Sequence, residues 1–140
     1  MNERDSSIAF KWSKNERLYL NKDIETLFRE GKAFSVPNIR VVYKRVSRPE
    51  GEWSPVRLGI VVPKKRVRKA VQRNQIKRWI KEAWRLEKNA VYPLIQDTEQ
   101  WHVFLVYHGT HVYSFQQAQK QMMRIIAQWT KILSHDSESS

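Results

Sequence analysis

The stretch Arg57–Arg85, RLGIVVPKKRVRKAVQRNQIKRWIKEAWR, decides the fold of this chain. At its start, Val56–Val62 places an apolar side chain at every second position, which is the spacing of a β-strand. Pro63 has no amide hydrogen to offer a neighbouring strand, so the strand should end there. From Arg73 to Arg85 the apolar residues recur at helical spacing instead. The stretch therefore predicts a strand, a basic turn and an amphipathic helix.

The charge of this stretch is concentrated on one side of the predicted helix. The stretch holds eleven Lys or Arg residues and a single acid, Glu82. The basic residues are Arg57, Lys64, Lys65, Arg66, Arg68, Lys69, Arg73, Lys77, Arg78, Lys81 and Arg85. Solvated helices usually combine both signs in i, i+4 pairs, and this helix has almost no acids for that purpose. A polyanionic partner is therefore expected.

The composition of the whole chain limits the possible functions. Its 140 residues are 41% hydrophobic, enough for the core of one domain, and its net charge is +12. Nucleic acid is the first candidate partner and an anionic membrane surface is the second. The absence of cysteine excludes disulfides and zinc-thiolate sites. No segment approaches the roughly 20 apolar residues of a membrane span, so we expect a soluble, cytoplasmic protein.

Three helices are expected. Asn21 is a plausible N-cap for a short first helix, and Gly31 should end it. Ser114 and Gln117 fit a capping box at the start of the last helix. The central helix should bury one stripe of apolar residues, which consists of Ile76, Trp79, Ile80, Ala83 and Leu86.

The strand patterns complete an α+β fold. Asn38–Ser47 alternates like a strand and is expected to form an antiparallel hairpin with Val56–Val62. A further short strand is expected near residues 33–36, and the apolar run 101–107 should be a strand buried on both faces. We predict a single-domain two-layer α/β sandwich in the order α-β-β-(β)-α-β-α.

Binding is better supported than catalysis. The four histidines lack metal-ligand spacing with acids, and no paired carboxylates suggest a two-metal nuclease site. Gly59 stands alone, so it forms no glycine-rich phosphate loop, although it leaves room for another backbone or a ligand. Asn74 could bind a 2′-hydroxyl or a base edge, or only a neighbouring loop. Phe28 and Tyr43 could stack on unpaired bases or belong to the core.

Three spaced motifs resemble the signature of the bacterial ribonuclease P protein component. They are Arg57-x-Gly59, Val62-x-Lys64-Lys65 and Ala70-Val71-x-Arg73-Asn74-x-x-Lys77-Arg78-x-x-Lys81-Glu82. The similarity covers roughly residues 10–133, which we take as the RNA-binding domain, with flexible segments at 1–9 and 134–140. Lys81 stands where the family usually has Arg, and Ile24 replaces a common aromatic residue.

The resemblance implies a function and two RNA partners. It implies a protein that binds ribonuclease P RNA and assists the magnesium-dependent removal of the 5′ leader from precursor tRNA. The RNA would carry the chemistry and the Mg²⁺, so no catalytic or metal-binding residue of the protein is predicted, nor any protein partner. It also implies a left-handed β-α-β crossover. The residues expected to bind RNA are Arg57, Lys64, Lys65, Arg66, Arg73, Asn74, Lys77, Arg78 and Lys81, with Phe28 and Tyr43 lining a cleft for the leader.

Two other hypotheses remain open from the residues alone. The chain could be a structural ribosomal or general nucleic-acid-binding protein, which would bind tRNA whether or not a 5′ leader is present. It could also be a self-sufficient nuclease, which would cleave RNA without an RNA subunit.

Overall fold

The computed structural model describes residues 16–51, 53–109 and 113–139, with side chains to residue 134. Within these residues there are three α-helices: α1 (Asn21–Glu30), α2 (Ala70–Glu87) and α3 (Phe115–Ser139). The four strands are β1 (Lys32–Val36), β2 (Ile39–Ser47), β3 (Val56–Val61) and β4 (Glu99–Tyr107). Two 3-10 turns, Lys88–Ala90 and Tyr92–Leu94, follow α2. The predicted α+β class and the strand near residues 33–36 are confirmed.

The strands form one mixed sheet in the order β1-β2-β4-β3. β4 is antiparallel to β2 and parallel to β3, and α2 lies in the connection between β3 and β4. The predicted hairpin between β2 and β3 is therefore wrong, because β4 lies between them. Every residue of β4 is buried or half-buried, so the strand is most stable with a partner on each edge.

The hairpin of the sheet is instead β1–β2, which the two residues Pro37 and Asn38 connect. Asn38 has a φ of 70°, a left-handed conformation that Asn tolerates better than most residues. The pair Pro37-Asn38 was thus the sequence signal for this hairpin.

The sheet has a large core on one face and a small cluster on the other. Strand register places Tyr43 beside Val103 on the face that α2 and α3 cover, where most buried residues lie. The same register places Val42 beside Phe104 on the opposite face, where α1 contributes Leu27 to the smaller cluster. The predicted sandwich is thus the sheet with the α2–α3 layer, and α1 covers part of the other face.

The chain before α1 determines where that helix begins. Leu18 donates its amide to Leu58 O at 3.1 Å, and Leu58 donates to Glu16 O at 2.9 Å, so this segment runs along the edge of β3. Leu20, in an extended conformation, is the N-cap, with no side-chain cap hydrogen bond. The prediction that Asn21 is the N-cap is wrong, because the segment along β3 already directs the chain into the helix at Asn21.

Two other predicted helix ends are confirmed. The Gly31 amide donates to Leu27 O at 2.7 Å and ends α1. At the start of α3, the Gln117 amide donates to Ser114 Oγ at 3.2 Å, which is the Ser114 half of the predicted capping box. The last helix continues to Ser139, and the segment 1–9 lies outside the described residues.

The buried side of α2 differs from the predicted stripe at its C-terminal end. Ile76, Ile80 and Ala83 are buried as expected, whereas Leu86 is 44% exposed. Leu86 follows Ile80 by six residues, which turns it about 120° away from the buried direction. Trp84 is buried in its place and stacks on Trp129 of α3, with ring centroids 5.9 Å apart.

Candidate nucleic-acid interface

The basic face of the molecule is formed by α2 and the turn that precedes it. We use the name basic face for Lys64, Lys65, Arg66, Arg73, Asn74, Lys77, Arg78 and Lys81. The three turn residues, Asn74 and Arg78 are exposed, while Arg73, Lys77 and Lys81 are half-buried. These helix residues follow each other at intervals of one, three or four, so they lie on one side of α2 next to its buried side, and Arg73 is two turns before the buried Ile80.

Glu82, the single acid of the stretch Arg57–Arg85, pairs with a cation outside the basic face. Glu82 accepts two hydrogen bonds from Arg85, from Nε and Nη2, each at 2.7 Å. In the described part of the chain, Lys77 and Arg78 have no acidic partner within ion-pair distance. These two cations are therefore available to phosphates without the loss of an ion pair.

Positive charges also crowd around Lys81. Burial lowers the pKa of Lys81, and the neighbouring charges of Lys77 and Arg17 lower it further. Arg17 lies beside β3, where it forms an isolated bridge with Leu58. The chain segment before α1 therefore adds a cation to the basic face, and an anion bound here would relieve the mutual repulsion. Charge patterning did not identify Arg17, because the bases of its own segment are scattered and Glu16 precedes it.

Arg73 has a different local role from its neighbours on the helix. Its Nη1 donates to Val67 O at 3.0 Å and to Arg68 O at 2.7 Å. These bonds attach the first turn of α2 to the end of the basic turn. Sequence spacing predicted Arg73 as an RNA-binding residue, and spacing alone cannot reveal that its guanidinium holds two backbone carbonyls.

Arg57 lies apart from the basic face. It is half-buried in β3, in register with His102 and on the sheet face that α1 covers. Its Nε is buried and has no hydrogen-bond partner among the described residues. The structure therefore does not bring Arg57 together with the α2 residues of the predicted set.

Phe28 and Tyr43 lie on opposite faces of the sheet. Phe28 is 49% exposed on α1, and its ring contacts Phe104 edge-on at 5.3 Å. The half-buried Tyr43 ring lies on the α3 side, 6.1 Å from Trp101. The prediction that both line one cleft is wrong, because side chains alternate along a strand and it is Val42 that faces α1. That either residue contacts RNA stays a prediction.

The space above Gly59 is already filled. A Cβ added there would lie 2.5 Å from the Phe104 ring and 3.3 Å from Leu18 O. The missing side chain therefore accommodates Phe104 and the backbone before α1, and it leaves no room for a ligand. Gly59 supports the α1 side indirectly, since Phe104 is also the residue that Phe28 contacts.

His102 is a buried histidine on the α1 side of the sheet. Its Nε2 lies 3.0 Å from Gln100 Oε1, and burial is the main cause that lowers its pKa. Among the described residues, no group of three or more His, Asp or Glu is placed to hold a metal ion. His111 lies outside those residues. No described helix is long and apolar enough to cross a membrane.

Comparison with known proteins identifies the family. A family model described as Ribonuclease P matches residues 12–130. The chain belongs to the ribonuclease P protein family. A Ribonuclease P protein component from Porphyromonas gingivalis is 43% identical over 94 residues, which are 67% of this chain and 67% of the relative. One from Pseudoalteromonas translucida is 31% identical over 123 residues, 88% of this chain and 78% of the relative.

The fold is also that of a solved ribonuclease P protein. The protein from Staphylococcus aureus superimposes with a TM-score of 0.65 and 22% identity, covering 86% of this chain and 99% of that chain. Ribonuclease P is a ribonucleoprotein endoribonuclease, and family membership makes this chain a protein component of that type. The basic motif on α2 lies within the region that the family model matches.

Proposed function

We propose that the chain is the protein subunit of ribonuclease P, that its basic face binds the catalytic RNA, and that it assists removal of the 5′ leader from precursor tRNA. The observation that carries this proposal is that Lys77 and Arg78 on α2 have no acidic partner among the described residues, and that the charge of Arg17 adds to the same basic face through its effect on Lys81. Phosphate contacts by such a face position an RNA without reading its sequence. This property suits a subunit that holds a folded RNA and a varied leader.

In this proposal the protein supplies charge and shape, and the RNA supplies the chemistry. Mg²⁺ would be bound by the phosphates of the RNA and the substrate, because Mg²⁺ favours oxygen ligands and retains several waters. Neutralisation of nearby phosphates by the basic face would lower the magnesium concentration that the RNA needs. We place this activity in the cytoplasm.

The leader is proposed to pass over the α1 side of the sheet. The exposed ring of Phe28 offers a surface on which an unpaired base can stack. Lys44 of β2 faces the same side and is held at 2.9 Å by Glu30 at the end of α1. An aromatic surface beside a cation is a common arrangement for single-stranded nucleic acid.

Reconstitution tests the proposal. The purified, folded protein is mixed with ribonuclease P RNA, and cleavage of precursor tRNA is measured at low magnesium. We expect faster cleavage with the protein than without it, and a product that begins at the mature 5′ end. The absence of stimulation by folded protein would refute the proposal.

General nucleic-acid binding is the second candidate, because phosphate contacts alone carry no sequence information. Binding of tRNA with and without its 5′ leader distinguishes the two functions. A leader-dependent affinity supports the ribonuclease P subunit, and equal affinities support the general binder. Cleavage by the protein alone, after nuclease treatment to remove copurified RNA, would instead indicate a self-sufficient nuclease.

A further inference from the structure

A pocket lies at the corner where β1 leaves the edge of β2. Pairing between the two strands ends at Lys32–Tyr43, so no described strand covers that edge of β2 from Lys44 to Ser47. A cavity of about 240 Å³ occupies this corner. Its walls include Tyr43, Trp101 and Ile132, with Ile132 contributed by α3.

The end of α1 forms one side of the pocket. Gly31 is a lining residue, and a Cβ added to it would lie 2.5 Å from Leu27 O and 2.8 Å from Tyr43 O. Only glycine allows this approach, so the helix end is held tightly against the backbone of β2. The close backbone contact at Gly31 makes this wall of the pocket rigid whether or not a ligand is bound.

The aromatic part of the pocket is held in place by other rings. Tyr43 is half-buried, with Phe34 at 5.8 Å on one side and Trp101 at 6.1 Å on the other. Trp101 is 2% exposed, and its Nε1 has no hydrogen-bond partner among the described residues. A ring fixed in this way loses little conformational entropy when a planar group stacks on it.

Three cations surround the opening. Lys32 is exposed, Lys44 pairs with Glu30 at 2.9 Å, and Arg45 pairs with Glu99 at 3.5 Å. The paired side chains of Lys44 and Arg45 are 30% and 49% exposed. Ion pairs with this exposure contribute little to stability, so a phosphate can replace the carboxylates. The pairs meanwhile hold the cations near the pocket.

We propose that this pocket accepts one unpaired nucleotide of an RNA strand, with its base against Tyr43 and its phosphate near Lys32 and Arg45. The site is distinct from the basic face of α2, and Tyr43 faces the opposite side of the sheet from Phe28. The combination of a fixed ring and several cations matches a nucleotide better than an apolar peptide side chain. The net charge of +12 favours the same class of ligand.

Photocrosslinking to the full-length protein tests this site without ribonuclease P RNA. A single-stranded RNA hexamer with one 4-thiouridine is irradiated with the protein, and crosslinked peptides are mapped by mass spectrometry. We expect a crosslink in the peptide that contains Tyr43. Failure of the reconstitution assay would leave this result unaffected, so the two proposals fail separately.

Matched variants on α3 provide the control. Ile132→Trp fills the pocket and should reduce the crosslink about tenfold, the effect of one lost base stack. Met123→Trp adds the same ring at a residue that is 55% exposed and outside the pocket lining, and it should leave the yield unchanged. A wild-type crosslink that maps elsewhere, or one that both variants retain, would overturn the proposal.

A second variant tests the pocket independently if Ile132→Trp does not fold. Tyr43→Leu removes the aromatic ring but keeps an apolar side chain of moderate size, and it should also reduce the crosslink about tenfold. Its fold is checked by the thermal unfolding transition. Unchanged crosslinking by folded Tyr43→Leu would show that the ring does not hold the base and would refute the site.

Discussion

The two sides of the sheet present different chemistry to a nucleic acid. On the α2 side, the aromatic residues are buried beneath the helix and the outer surface is basic. On the α1 side, the buried cluster contains only Leu18, Leu27 and Val42 among the described residues, and the ring of Phe28 remains exposed. The outer surface of α2 is suited to phosphate, and the surface around Phe28 is suited to bases. Their contributions to binding should therefore respond differently to salt and to mutation.

The largest effect is expected from the core beneath α2. Trp129→Ala removes a 2% exposed ring that stacks on Trp84, and it should lower the free energy of unfolding by about 3–5 kcal/mol. Urea unfolding followed by circular dichroism measures the change. Phe28→Ala on the α1 side is the comparison, and it should cost much less because that ring is half exposed. Equal losses would contradict the difference between the two sides.

The exposed aromatic residue should affect binding of the leader. Phe28→Ala is expected to weaken the affinity for precursor tRNA by about 1–3 kcal/mol, while the dependence of affinity on salt is retained, since a stacked base carries no counterion change. The measurement is a titration at several salt concentrations, with leaderless tRNA in parallel. Met123→Ala is a control at another exposed apolar residue. A loss of the same size for leaderless tRNA would argue against leader stacking.

A variant of Arg73 can show whether this residue of the basic face positions the turn or contacts a phosphate of the RNA. Arg73→Lys retains the charge but loses hydrogen bonds to the carbonyls of the turn, so we expect RNA affinity to fall by about 1 kcal/mol with an unchanged salt slope. Filter binding over a salt series provides both quantities. Lys77→Arg is the conservative control and should preserve both. A reduced slope for Arg73→Lys would indicate direct phosphate contact instead.

A smaller change is expected from a single cation of the basic face. Lys77→Gln should lower the slope of log affinity against log salt by about 0.7 to 0.9, the amount for one phosphate contact. Lys131→Gln on α3 is the matched control, because Lys131 is exposed and lies outside the basic face. Equal slopes for Lys77→Gln and the unmodified protein would show that Lys77 does not contact phosphate.

The smallest effect concerns pH and the α1 side. Because burial lowers the pKa of His102, the folded chain binds a proton on this side chain less readily than the unfolded chain does. The free energy of unfolding should keep its full value above pH 6.5 and should decrease as the pH falls below 6.5. Urea midpoints at pH 7.5 and 5.5 measure the decline, which His102→Gln should reduce. An identical pH dependence in that variant would exclude His102 as the cause.

Local sequence patterns were sufficient to predict α2 and the basic charge on one of its sides. The periodicity of Ile76, Ile80 and Ala83 correctly predicted the buried side, and the excess of bases over the single acid Glu82 predicted a basic side, which is partly exposed and partly half-buried. Both depend on residues within a few turns of each other, whose geometry a helix determines. The predicted stripe was wrong for Leu86, which lies about 120° from Ile80 around the helix and is exposed.

The order of the strands was not predictable in the same way. β2 and β3 follow each other in sequence, but β4 lies between them in the sheet. It is the most buried strand, and this position gives it a hydrogen-bonded partner on each edge. That insertion, together with the tight turn at Asn38, places Tyr43 on the α3 side and Val42 under α1. A shift of one residue reverses the face of every side chain, so the predicted leader cleft could not be assembled from spacing alone.

The sequence by itself determined the helix, the basic motif and the family resemblance, because these depend on neighbouring residues and on charge that no distant segment could balance. Only the tertiary structure decided which residues share a site. It brought the charge of Arg17 close enough to Lys81 to lower the pKa of Lys81, directed Arg73 to the turn carbonyls, and put Phe28 and Tyr43 on opposite faces. These relations arise from the strand order and register, which are determined by long-range packing of the sheet against its helices.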